Sequence, residues 1–312
     1  MSIQAMAEEI SNQTQDLPRF ASQLRQTHLP SLKPPTQIFV GSGDSYAAAF
    51  FAQELSHGQA VASDPYELLM NIGRTKGKNL VIVSVSGRTR TNIELARKAK
   101  GIAAKRIAIT ANTVSPLAKE CDETLQLNYR STGILTSGTV SFTTSLLACA
   151  FLLGKLPGTV QAKTTLTDTV HLGTKLEQAS EGSFLFIGSG VDYALSLYGA
   201  AKINEVLGAK AEAVYPEQLG HANLFSIDRK GDFIVCISSG RDKAREIHEL
   251  LRTNGFHDSI LAILESNSVN RSLKIAIYLQ QLALTLAKKR RIRECSFLAD
   301  RKRRDLSSKM IY

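Results

Sequence analysis

The spacing of apolar residues divides the chain into segments before any chemistry is considered. Ile3, Met6 and Ile10, then Leu17, Phe20 and Leu24, recur at intervals of three and four, which predicts an amphipathic helix over residues 1–28. Pro30, Pro34 and Pro35 stop it and mark a linker. Beyond them, short β-branched runs alternate with helical spacing. Strands are predicted at Gln37–Val40, Val61–Ser63, residues 80–85, Arg106–Thr110 and Glu123–Leu127. Helices are predicted at Tyr46–Leu55, Pro65–Asn71, residues 91–100, Pro116–Glu120 and Val140–Leu153, and the Ser131–Gly138 stretch reads as a loop.

The stretch Leu80–Asn92 organises the rest. Leu80–Val83 reads as a strand buried on both faces, followed at once by Ser84, Ser86, Gly87 and Thr89 and then by a helix. A strand that ends in small hydroxyl residues and turns into a helix presents free backbone N–H groups at a positive dipole end, a geometry suited to phosphate or carboxylate. The same residues would also serve as a plain N-cap cluster.

The pattern then repeats. Gly154–Gly158 and the polar stretch to about Thr167 separate two halves, and a helix is expected near Asp168–Glu177. The segment Ser183–Gly190 echoes the segment around Ile38–Gly43 at an offset of 147, and Asp232–Arg241 echoes Asn79–Arg88 at an offset of 153. Two matched strand–loop–helix pairs in one order predict two tandem α/β units, each a doubly wound parallel sheet of flavodoxin-like kind. Right-handed crossovers place ligands beyond the carboxyl ends of the strands. The expected boundaries are an N-terminal helix over 1–30, a first domain over 31–158, a second over 159–290 and a basic tail over 291–312.

Composition changes this picture little. With 312 residues, 43% hydrophobic and 21% charged, the chain is long enough to bury a sizeable core. No long apolar run or signal-like start is visible, so a cytoplasmic location is expected. Cys121, Cys149, Cys236 and Cys295 follow no metal-site spacing and read as reduced core residues. The net charge of +10 is uneven, with +7 in the last 25 residues. That basic end suits an anionic partner, but no helix-turn-helix or aromatic-interleaved basic stretch accompanies it, so nucleic acid and membrane are not expected as partners.

Four stretches together resemble a known family. Gly41–Tyr46, Val83–Thr89, Ala201–Glu205 and Pro216–His221 are similar to motifs of the double sugar-isomerase-domain (SIS) phosphosugar isomerases, most of all the isomerase part of glucosamine-6-phosphate synthase. Met6–Gln13 looks like that family's opening helix. No glutaminase part is expected, since the sequence shows no N-terminal cysteine nucleophile.

The resemblance implies a division of labour. Ser45, Ser84, Ser86 and Thr89 would surround a substrate phosphate, and Gly43, Val85, Gly87 and Thr139 would belong to the substrate loops. Glu205, three residues after Lys202 and sixteen before His221, would shuttle a proton between C1 and C2 through a cis-enediol(amine). That role suits a carboxylate whose burial moves its pKa towards neutrality. His221 would assist ring opening from the neighbouring subunit of a homodimer, and Lys202 would tune the nearby charge. Lys309, in a stretch resembling the family's C-terminal tail, would act as general acid or charge stabiliser. No metal or organic cofactor is implied. Without the resemblance, Lys202 and Glu205 read as an ordinary helical ion pair and His221 as a capping residue.

Departures from the family pattern bear on the substrate. Val85 stands where the synthase has a glutamine, and Gly138 and Val140 replace a serine and a lysine. Fewer polar contacts to the sugar hydroxyls means the substrate need not be an amino sugar. The expected function is an aldose–ketose isomerase of a hexose 6-phosphate, converting fructose 6-phosphate to glucose 6-phosphate or glucosamine 6-phosphate. A bifunctional phosphoglucose/phosphomannose isomerase is a neighbour of that reading. The alternatives are a stand-alone glucosamine-6-phosphate deaminase and, from another class, a non-catalytic sugar-phosphate sensor.

Overall fold

A computed structural model describes residues 1–27, 36–161 and 182–312. The proline linker and the helix expected near Asp168–Glu177 lie outside the described residues. Helix α1 (Ser2–Gln26) buries Ile3, Met6, Ile10, Leu17, Phe20 and Leu24, the stripe its spacing predicts. The chain forms two compact units. The first comprises Asn12–Arg130, Val140–Val160 and Arg301–Tyr312; the second comprises Met1–Ser11, Ser131–Thr139 and Gln161–Asp300.

The first unit is built on five parallel strands, β1 (Gln37–Val40), β2 (Ala60–Ser63), β3 (Asn79–Val83), β4 (Lys105–Thr110) and β5 (Glu123–Gln126). Their spatial order is β2-β1-β3-β4-β5. Helices α2 (Asp44–Leu55), α3 (Pro65–Met70), α4 (Arg90–Lys98), α5 (Pro116–Glu120) and α6 (Val140–Leu152) connect or follow them. Ile38, Val40, Leu80, Ile82 and Ala108 point to one face and pack with Leu68, Leu95, Ala96 and Leu117. The alternate residues Phe39, Val81 and Ile107 are equally buried, because a parallel sheet covered on both faces hides both side-chain sets. The chain leaves β1 towards β2 and returns to pair β3 on the other side. That reversal is where loops at the carboxyl ends splay apart and leave room for a ligand.

The second unit holds four parallel strands, β6 (Phe184–Ile187), β7 (Ala211–Val214), β8 (Phe233–Ser238) and β9 (Asp258–Ala262), in the order β7-β6-β8-β9. This is the order of the first four strands of the first sheet. Its helices include α7 (Val191–Leu207), α8 (Pro216–His221), α9 (Lys243–Thr253) and α10 (Ser268–Lys289). Leu185, Ile187, Val214, Ile234, Cys236, Ala244 and Ile247 form its core. The repeat extends to backbone conformation: Gly43 adopts φ 59° and ψ −127°, and its counterpart Gly190 adopts φ 56° and ψ −128°.

After the short α11 (Ser296–Ala299), residues Arg301–Ile311 of the basic end form a helix, α12, exposed along its whole length. Among the described residues no helix is long and apolar enough to cross a membrane.

Candidate functional site

In the first unit, strand β3 ends at Val83, so Ser84 to Thr89 form a loop rather than a continuation of the strand. Neighbouring secondary structure holds this loop. The Val85 carbonyl accepts from the Ala111 N–H at 3.0 Å and the Thr110 hydroxyl at 3.1 Å, and the Gly87 carbonyl accepts from the Leu117 N–H at 3.1 Å. Gly87 has φ 63°, and a Cβ there would lie 2.1 Å from the Ser115 Oγ, so only glycine closes the turn. Ser45 lies in the first turn of α2 beyond β1, and β1 pairs with β3, so both hydroxyl-bearing loops leave adjacent carboxyl ends.

Several donors in this region take no backbone acceptor among the described residues. Thr89 occupies the N-cap position of α4, yet its hydroxyl caps nothing. The first helical N–H to find a backbone acceptor is that of Ile93, on the Thr89 carbonyl at 3.1 Å. The N–H groups ahead of it are the orphan donors of a helix start. Ser86, Arg88, Asn112, Pro116 and Tyr312 line a cavity of about 740 Å³ beside the loop. Arg88 and Asn112 were not among the candidates from sequence. Their signal was position alone, each lying just past a strand end, and neither residue type is diagnostic there.

In the second unit, α7 carries Lys202 and Glu205 on one face, as an i, i+3 pair must be. The Lys202 side chain is fully buried, with its ammonium 5.0 Å from the centre of the Tyr198 ring. It donates to Glu205 Oε2 at 2.7 Å and to Ser137 Oγ at 2.7 Å, and Ser137 Oγ donates to the same Oε2 at 2.6 Å. Burial by itself pushes the Glu205 carboxyl up. The Lys202 charge and the hydrogen bonds from Lys202 and Ser137 outweigh it and hold the group below its usual range. The expectation that burial moves Glu205 towards neutrality is therefore corrected. The carboxyl is half-buried beside a paired ammonium, and the attraction wins.

The loop that delivers Ser137 is fixed at each neighbouring residue. Thr136 Oγ1 donates to the Ser2 carbonyl at 2.9 Å, and the Tyr198 hydroxyl donates to the Gly138 carbonyl at 2.8 Å. Thr139 is fully buried; its hydroxyl donates to Glu9 Oε2 at 2.9 Å and its carbonyl accepts from Gln280 Nε2 at 3.3 Å. Sequence reasoning passed over Ser137, Glu9 and Tyr198. Ser137 and Glu9 lie far from Glu205 in the chain and only the fold brings them to it, while Tyr198 sits one turn before Lys202 on the same helix in an apolar-looking stretch.

His221 is not drawn into this network. It ends α8 with its side chain 73% exposed, and its polar partner among the described residues is Glu217 at 3.6 Å. Lys309 projects from the exposed helix α12.

Residues 33–154 match the family described as SIS domain. The chain is 29% identical over 261 residues to a glutamine–fructose-6-phosphate aminotransferase (isomerizing) of Sulfurisphaera tokodaii, covering 77% of this chain and 42% of the relative. It is also 29% identical over 232 residues to the protein of that name from Sulfolobus acidocaldarius, covering 70% and 38%. The chain thus spans less than half the length of these curated relatives. Among solved structures it resembles a glucosamine-6-phosphate deaminase from Thermotoga maritima, with a TM-score of 0.71, 20% identity and coverage of 92% and 95%. It also resembles the C-terminal domain of the glucosamine-fructose-6-phosphate aminotransferase from Francisella tularensis, with a TM-score of 0.67, 19% identity and coverage of 91% and 95%. The fold is that of these solved structures.

Proposed function

We propose that the protein is an aldose–ketose isomerase acting on a hexose 6-phosphate, built from two tandem SIS units and active as a cytoplasmic homodimer. The observation that carries this reading is the Lys202–Ser137–Glu205 network, in which a carboxylate is kept ionised beside a buried ammonium. An ionised carboxylate can remove the C1 proton of an open-chain ketose. The C1–H electron pair then forms the C1–C2 double bond as the C2=O π pair moves onto O2; the O1 proton passes to O2, and the carboxyl proton returned to C2 gives the aldose.

The remaining roles follow the chemistry of each group. Ser45, Ser84, Ser86 and Thr89, with the first N–H groups of α4, hold the phosphate, and Arg88 adds positive charge at its edge. Lys202 keeps Glu205 ionised. His221, exposed and paired among the described residues with Glu217, is the residue that a neighbouring subunit receives for ring opening. Lys309 lies on a helix that presents its side chain to an approaching anion.

The test is proton NMR of the protein with fructose 6-phosphate in D₂O, with and without ammonium. Deuterium entering C1 or C2 with glucose 6-phosphate appearing supports the isomerase. Glucosamine 6-phosphate formed only with ammonium points instead to the deaminase. Binding without exchange in either condition points to a sensor. In the isomerase case, Glu205→Gln abolishes exchange while sugar-phosphate affinity stays within a few-fold.

A further inference from the structure

We propose that Ser137 is a positioning residue for Glu205, its hydroxyl fixing Oε2 together with Lys202 so that Oε1 is the oxygen that takes the substrate proton. The inference rests on the proton-shuttle reading of Glu205 and adds the atom and the residue that select it. Ser137 is 1% exposed. Its Oγ has one hydrogen, given to Glu205 Oε2 at 2.6 Å, and it accepts from the Lys202 ammonium at 2.7 Å. Lys202 donates to the same Oε2 at 2.7 Å. Two charge-assisted donors therefore converge on one carboxylate oxygen, and three short edges close a triangle that pins it.

The other oxygen is in a different position. Among the described residues Oε1 accepts no hydrogen bond, and the Glu205 side chain is 36% exposed. A base atom needs an open lone pair and an approach for the C–H bond, and only Oε1 has both. In the proposed step the Oε1 lone pair forms the new O–H bond, the C1–H pair becomes the C1–C2 double bond, and the C2=O π pair becomes a lone pair on O2, which takes the proton that O1 gives up as the aldehyde forms. Oε1 then returns the same proton to C2.

The loop carrying Ser137 is built to hold this geometry. Thr136, Gly138 and Thr139 are each tied to a group of the second unit, namely the Ser2 carbonyl, the Tyr198 hydroxyl and the Glu9 carboxyl. A hydroxyl mounted on a fixed backbone selects one carboxylate rotamer; a mobile one would not. A Ser137 hydroxyl that donates to the ionised form also favours that form, so its loss raises the proton affinity of Glu205.

The experiment compares Ser137→Ala and Ser137→Thr with the unaltered protein and with Glu205→Gln. Each is assayed for isomerisation across pH, and the Glu205 carboxyl carbon is followed by ¹³C NMR titration, assigned through Glu205→Gln. The expected result for S137A is a kcat reduced on the order of tenfold with KM changed less than about twofold, the loss belonging to a transition-state interaction. The acid limb of kcat/KM and the Glu205 titration both move to higher pH. S137T, which keeps the hydroxyl, retains the original limb and titration. A S137A variant with an unshifted titration and an unshifted limb overturns the inference, as does a folded S137T that titrates like S137A. If E205Q turns over normally, the proton-shuttle reading itself fails. If E205Q is inactive while S137A is unchanged, only the role of Ser137 fails.

Discussion

At the scale of single residues, two carboxyls of the second unit, Glu205 half-buried and Asp192 buried, carry opposite settings. The Glu205 carboxyl is held below its usual range despite burial, by the Lys202 charge and the hydrogen bonds from Lys202 and Ser137. A lowered value means that the proton is lost earlier on raising the pH, so the base form is complete from the ordinary glutamate range upwards. Activity controlled by Glu205 therefore falls only on acidification below about 4.3, the ordinary glutamate value. A pH–rate profile of kcat/KM checks this, and an acid limb between about 6 and 7 that moves in Glu205→Asp would contradict it.

Asp192 is set the other way, since burial raises it by more than Arg271 lowers it. The Arg271 guanidinium bonds both Asp192 oxygens and donates to the Ser238 carbonyl at 2.6 Å. Asp192→Ala strands a buried guanidinium and is expected to cost about 3–5 kcal/mol in urea unfolding, while D192A/R271M costs less than the two single changes together. The sequence could not show this pair. Asp192 and Arg271 lie 79 positions apart with no spacing rule to join them, whereas Lys202 and Glu205 were legible because a helix fixes what i and i+3 share.

At the scale of elements, the strands were the most legible feature. Runs such as Leu80–Val83 have no polar face because helices cover both sides of the sheet, so burial and sequence agree residue by residue. The end of β3 was less legible. Val85 favours a strand, but Gly87 at φ 63° turns the chain and frees Ser84 to Thr89 as a loop. The glycines that start α2 and α7 make a testable case. Gly43 and Gly190 adopt φ near +58° with ψ near −127°, a region essentially reserved for glycine.

No atom lies within 4 Å of a Cβ built on Gly43, so any effect of Gly43→Ala is backbone strain and not a clash. It is expected to destabilise by about 1–3 kcal/mol and to weaken phosphate binding by tilting the first turn of α2 with Ser45. Gly73 has equal space without positive φ, so Gly73→Ala is expected to change stability by less than about 1 kcal/mol. Urea melts of the two variants, with inorganic phosphate thermal shifts alongside, separate strain from a general intolerance of substitution.

At the scale of the whole molecule, the repeated pattern predicts its own asymmetry. The offset of 147 that maps Val40 to Ile187 maps Ser45 to Asp192, and the offset of 153 that maps Ser86 to Ser239 maps Thr89 to Asp242. Two of the hydroxyls assigned to the phosphate are thus carboxylates in the second unit. Asp242 accepts from the Ser239 N–H at 2.7 Å, the Ser239 hydroxyl at 3.1 Å, the Ser238 hydroxyl at 2.9 Å and the Arg245 N–H at 3.1 Å. Its own side chain takes the donors that a phosphate would use. Burial raises the Asp242 carboxyl, but the Ser239 and Arg245 N–H bonds and the serine hydroxyls more than offset that and keep it ionised. A second phosphate would meet a fixed negative charge. The expected stoichiometry in calorimetric titration with fructose 6-phosphate is therefore one per chain. Ser86→Ala/Thr89→Ala lowers the affinity of that single site, while Asp242→Asn leaves it unchanged. Two equivalents per chain, or affinity lost in D242N and kept in S86A/T89A, would place the phosphate in the wrong unit.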